Sequence, residues 1–191
     1  MLIRIAALVM FYFSALVSVA AQDLPDTGTV SATTVPPSAT EQLKEFAKDC
    51  AAGAESRNER AKAASLFARL GGAERIHALT KEMVRLHRQN KVVSDIVARY
   101  DGDDLADKLA RYLISHTGGA TPYVGASLAQ SHAKLHITDE QFMAGGMDFS
   151  QAMKNLGFGE TEISDTGCFL VGLHDQIVIT SDDRKASSPR L

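Results

Sequence analysis

Six histidines are the residues of this chain best suited to chemistry at neutral pH: His77, His87, His116, His132, His136 and His174. His132 stands out by its setting. It lies in the stretch SLAQSHAKLHITDEQF, between Leu128 and Leu135, just ahead of a strong helix start. Thr138 can cap that helix, and Gln141 three residues on completes a capping box. A histidine in a loop so anchored is placed to ligate a metal through its neutral imidazole. His136, four residues on, is the rival ligand. His87 lies one helical turn beyond Val84 and reads as a surface or helix-end residue. His116 reads as half-buried packing, and His77 and His174 as surface residues. A zinc site needs about four ligands at close spacing. Scattered histidines and two distant cysteines, Cys50 and Cys168, do not supply that. No nucleophile elbow is visible, and the glycine pairs lack the Lys-Ser or Lys-Thr of a phosphate loop.

The elements that must position these residues read as helices. Helix formers run from Glu41 to Leu70 with little Gly or Pro, which predicts an N-terminal helical extension over residues 41–64. Residues 73–90 put Ile76, Leu79, Met83 and Leu86 at helical spacing. Asp103 or Asp104 can cap the next helix. There Leu105, Leu109, Tyr112, Leu113 and His116 share one face, and Gly118 ends the run. A helix from Thr138 to Leu156 carries Phe142, Phe149 and Met153. A last helix at 163–173 contains Gly167 and Gly172, which weaken it. Only Ile177–Thr180 has a brief β-branched run. Helices with one apolar face each and short connections predict an all-α domain over residues 65–180.

The chain has 191 residues, enough for one domain with a core. It opens with Arg4, an apolar run and the small residues Val19-Ala20-Ala21, the pattern of a signal peptide over residues 1–21. The alternative is an anchor that stays attached. The run is short for a span, no stop-transfer charges follow, and no later run is long enough to cross a membrane. Export, to the periplasm or beyond, is expected. Losing residues 1–21 removes one base and no acid, leaving a formal charge of −4. That balance gives no reason to expect nucleic acid or an anionic membrane surface as partner. Residues 22–40, rich in Thr, Ser and Pro, read as a flexible leader, and 181–191 as a loose tail. In an oxidising compartment Cys50 and Cys168 could pair; two independent thiols are the alternative, since sequence does not show proximity.

The motifs SLFARLGGAERI, DDLADKLARYLISHTGG, PYVG, SLAQSHAKLHITDEQF and KNLGF, in that order and spacing, resemble the truncated haemoglobins, most closely the group with the shortest loops. The resemblance implies a two-over-two helical sandwich, here with an extended N-terminal helix. It implies haem b as cofactor, with His132 as the proximal iron ligand. No C-x-x-C-H stretch is present, so non-covalent haem is expected. Met83, Val84, Val97, Leu105, Leu109, Leu113 and Tyr123 would line the pocket. Val84 stands where the family commonly has a tyrosine, Met83 and Val97 where it has phenylalanines, and Leu109 where glutamine is frequent. The distal wall is therefore apolar, and nitric oxide dioxygenation is weakened. Lys108 aligns with a position that supplies a sixth ligand in some relatives, but only a deprotonated lysine ligates, and an exposed one is the commoner case. The implied partner is oxygen, nitric oxide or carbon monoxide; a reductase is left open. The contrasting expectations are a haem-free interaction or sensor module and a periplasmic haem store or carrier.

Overall fold

The computed structural model describes residues 36–178. The signal-like run at 1–21, most of the leader and the tail at 181–191 lie outside the described residues. Ten helices and no strand occur among the described residues: α1 (Ala39–Ala52), α2 (Ala54–Ala63), α3 (Leu66–Arg69), α4 (Gly72–Gln89), α5 (Ser94–Val97), α6 (Gly102–His116), α7 (Leu128–His132), α8 (Asp139–Asn155), α9 (Glu160–Val171) and α10 (His174–Ile177). None is long and apolar enough to cross a membrane.

Two helix pairs make the core. α4 packs most extensively on α6, and it also lies on α8, which pairs with α9. Ile76, Leu79, Met83 and Val84 of α4 meet Ala106, Ala110 and Leu113 of α6 and Phe149, Ala152 and Met153 of α8 in one cluster. Burying each such large side chain stabilises the fold by roughly 1.5–3 kcal/mol. Leu105 and Leu109 pack against the same cluster from its margin.

Local chemistry sets the helix ends. Thr138 caps α8 with Gln141 in the expected capping box. The cap of α6 is Asp101, one turn before Asp104, whose backbone N–H it accepts at 2.9 Å; it is neither Asp103 nor Asp104. The acids at 103 and 104 instead stand in the first turn, where they complement the helix dipole. α6 stops at Gly118, whose φ of +103° takes the left-handed conformation, while the Gly119 N–H bonds back to the Ile114 carbonyl at 2.8 Å.

The N-terminal extension is not one helix. Gly53 divides it into α1 and α2, and its N–H closes on the Asp49 and Ala51 carbonyls. The division lets α1 lie across α8 and α9 while α2 leads away to α3. α1 is fastened by a disulfide between Cys50 and Cys168 of α9, so the cysteines are paired. Gly167 beside it has a purpose that helix propensity hides. A Cβ there would come within 3.0 Å of the Phe46 ring, so the glycine lets α1 approach α9 closely. α2 and α3 are held to α9 by ions. Asp165, 4 % exposed, accepts from Arg60 at 3.0 and 2.5 Å and from Arg69 at 2.6 Å, and Arg69 also reaches Glu162 at 3.1 Å. Burial opposes the Asp165 charge, but the two guanidinium groups outweigh it and hold the carboxyl below its usual range.

Candidate functional site

His132 is the last residue of α7, a five-residue helix, rather than a loop residue. Ser127 caps that helix, with Gln130 closing a capping box, and this gives so short a segment its order. The half-buried His132 ring donates its Nδ1–H to the Leu128 carbonyl one turn earlier, at 2.8 Å. In the neutral ring this bond leaves the lone pair on Nε2, the arrangement required of a metal-ligating imidazole.

α7 rests on α10. His174 of α10 is half-buried rather than a surface residue, because acids and a ring enclose it. Its Nε2 meets Asp139 and its Nδ1 meets Asp175, both at 2.8 Å, and Phe142 stands edge-on at 5.1 Å. Thr40 of α1 donates to the other oxygen of Asp139. The segment carrying His132 thus stands on a polar junction of α1, α8 and α10.

The expected pocket residues fall mostly together. Met83 and Val84 on α4 are buried with Leu113 of α6, and Leu105 and Leu109 flank them. Val97 is buried on α5, which packs against α4. Tyr123 is half-buried; its backbone N–H donates to Ser115 at 2.9 Å, and its ring meets Tyr112 edge-on at 5.4 Å. Lys108 departs from the expected lining. It is exposed and pairs with Asp104 one turn earlier, at 3.6 Å, rather than turning in beside Leu105 and Leu109.

The other histidines separate from His132 by environment. His116 makes the same kind of bond, to the Tyr112 carbonyl at 2.8 Å, yet it is exposed, because its ring stacks back on Tyr112 at 3.9 Å instead of entering the core. His136 is exposed at a left-handed φ of +53°. His87 is not a surface residue. Its side chain is 14 % exposed and donates from Nδ1 to Asp148 of α8 at 2.9 Å. Burial pushes its pKa below the ordinary histidine range, against the pull of Asp148. Sequence reasoning missed this pair; the only signal was that His87 continues the row of Thr80, Met83 and Val84. A cleft of about 400 Å³ at Phe67, His77, Arg111, Ile114 and Pro122 contains none of the expected site residues. Among the described residues no three His, Cys, Asp or Glu converge on a metal-holding position. Haem iron asks for only one such ligand from the protein. A single imidazole with its second nitrogen bonded to a carbonyl, together with an apolar wall from α4 and α6, fits that group.

The sequence profile of the bacterial-like globins matches residues 65–175. Among solved structures, the Fe(III) form of the truncated hemoglobin from Tetrahymena pyriformis superposes with a TM-score of 0.56 at 16 % identity, over 60 % of this chain and 97 % of that one. The 2/2 hemoglobin from a Synechococcus species, in the cyanomet state and with covalently attached heme, gives 0.56 at 18 %, over 61 % and 100 %. At such identities the likeness carries the two-over-two fold alone. No curated protein matches the chain. The profile spans α3 to the start of α10, more than half of the chain and both helix pairs, and on that ground the protein belongs to the bacterial-like globin family.

Proposed function

We propose that this globin binds one haem b without a covalent bond, with His132 Nε2 as the iron ligand, and takes a diatomic gas on the opposite, distal side. Haem so held supplies an open coordination position for a small ligand. The observation that carries the reading is the Nδ1–H bond from His132 to the Leu128 carbonyl, which orients the ring and raises the basicity of its other nitrogen. Val84, Leu105 and Leu109 make the distal wall apolar, so a neutral gas loses little hydration on entering. The chain's own work is then to orient one imidazole and exclude water. Export belongs to the same reading, supported by the Cys50–Cys168 bridge, which persists in an oxidising compartment.

The test is haem content. The purified protein should show a strong haem absorption band at one haem per chain. His132→Ala should abolish it, and His136→Ala and His116→Ala should keep it. Loss of haem in either of the latter, with retention in His132→Ala, refutes the assignment.

A further inference from the structure

One cleft of this globin lies apart from the residues expected around haem. On α4, Ala73 and His77 stand one turn apart and share a face; on α6, Arg111 and Ile114 do the same. By the helix period, Arg111 and Ile114 fall on the side of α6 opposite Leu105 and Leu109. The two rows flank a cleft of about 400 Å³, a volume within the range of small-molecule sites. Phe67 of α3 closes one part of it, fixed where its backbone N–H donates to the Thr117 carbonyl at 2.8 Å. The segment bearing Thr121 and Pro122 closes another. It turns back over the end of α6 at Gly119, where a Cβ would come within 2.6 Å of the Ile114 carbonyl oxygen. The lining is apolar at Phe67, Ile114 and Pro122 and polar at Arg111, His77 and Thr121, and it includes no carboxylate. Asp107 lies outside the lining, one turn before Arg111. One of its oxygens takes Arg111 Nη1, and the other lies 3.6 Å from His77 Nδ1. A guanidinium has five N–H donors in a planar fork. Nε and Nη2 of Arg111 have no partner among the described residues.

We propose that this cleft binds a small organic acid with an apolar body, its carboxylate on Arg111 and its tail against Phe67, Ile114 and Pro122. The free edge of the guanidinium matches a carboxylate in shape and charge. Asp107 engages the other side of that group, which sets its orientation on the helix. His77 and Thr121 add polar contacts for the head. An alcohol of the same length gains the same apolar burial without the charge-assisted bonds, so the head decides the preference. A cationic head meets no lining acid and faces Arg111 instead. The proposal does not use the haem reading, since neither His132 nor any expected pocket residue lines the cleft.

The experiment titrates the purified full chain with sodium octanoate, 1-octanol and octylammonium chloride, by calorimetry and by amide NMR. Octanoate should bind at least about tenfold more tightly than either of the others. The amide shifts it causes should gather at His77, Arg111 and Thr121. Arg111→Gln and Ala73→Phe, both at exposed positions, should each lower octanoate affinity at least about tenfold, the first by removing the charge and the second by filling the cleft. Circular dichroism and haem content should match the unmodified protein in both. Absence of octanoate binding overturns the proposal, as does 1-octanol binding equally well. Octanoate that is displaced by haem, indifferent to both substitutions and felt at Val84 and Leu109 occupies the apolar pocket instead, and this also overturns it. A protein that takes up no haem yet binds octanoate at Arg111 overturns the reading of His132 alone.

Discussion

Replacing both cysteines of the bridge by serine should cost a large part of the stability of this globin. The bond joins residues 118 positions apart, so it closes most of the described chain into one loop. In the chain-entropy account, freeing a loop of that length returns about 5 kcal/mol to the unfolded state, against a total of about 5–15 kcal/mol for a domain. The native side loses little, since α1 keeps Phe46 over Gly167 and the Thr40 hydroxyl on Asp139. Measured effects fall below the chain-entropy figure where the unfolded chain keeps structure, so the expected loss is about 3–5 kcal/mol. Urea unfolding followed by far-ultraviolet circular dichroism measures it. The double variant and the dithiothreitol-reduced protein should agree, and both should unfold with a steeper urea dependence, because an unbridged chain exposes more surface. A loss below about 1 kcal/mol with an unchanged slope would refute the reasoning. It would mean that α1 comes away independently and that the bridge closes a loop already outside the cooperative unit.

Two further outcomes follow from the same structure. Glu82 is held at about 2 by its bonds to Arg85 and Asn155. Its contribution is therefore present above the ordinary value of 4.5 and lost as pH falls from 4.5 toward 2, and Glu82→Gln should flatten the acid limb of stability against pH. His174 has the opposite sign. Burial disfavours its charge, but its bonds to Asp175 and Asp139 prevail and raise its pKa. Its contribution is present below 6.5 and lost as pH rises through the raised value, so His174→Gln should remove a decline on the alkaline side; thermal melts across pH check both. Protein from the native host should begin near Gln22 by mass spectrometry, and an intact Met1 in the soluble cytoplasmic fraction would exclude export.

The parts of this fold legible in the sequence are those carried by nearest neighbours along the helix. Ile76, Leu79 and Met83 announce α4 because their spacing is the helix period itself. Thr138 and Gln141 announce α8 because a capping box lies within four residues. The glycine at 118 announces the end of α6 for the same reason. What stayed hidden depends on partners far along the chain. Cys50 and Cys168 are 118 residues apart, Arg60 and Asp165 are 105 apart, and His87 and Asp148 are 61 apart. Nothing in the local pattern of either member reports the other. Gly167 is the sharpest case. Helix propensity reads it as a weakness, and only the Phe46 ring, from a helix outside the matched globin region, gives it a use.

The same division between local and distant partners runs through the histidines. The apolar wall of Val84, Leu105 and Leu109 is what the resemblance to the truncated haemoglobins implies, and so a bare pocket is the expectation from sequence. His87 stands on the same helix row, and its contacts run to α8. A histidine at a helix end is by default solvated, since burying it uncompensated costs free energy. Asp148 reverses the default by taking Nδ1, and Asn90 by holding Asp148. His116 shows the converse. It sits on an apolar face and was expected to pack inward, but its own helix satisfies it through Tyr112, and it stays outside. Each of these histidines thus has a partner at Nδ1, and burial is what separates them. The partner is a carbonyl of its own short helix for the half-buried His132, a carboxylate from another helix for His87, and a carbonyl at an exposed helix end for His116.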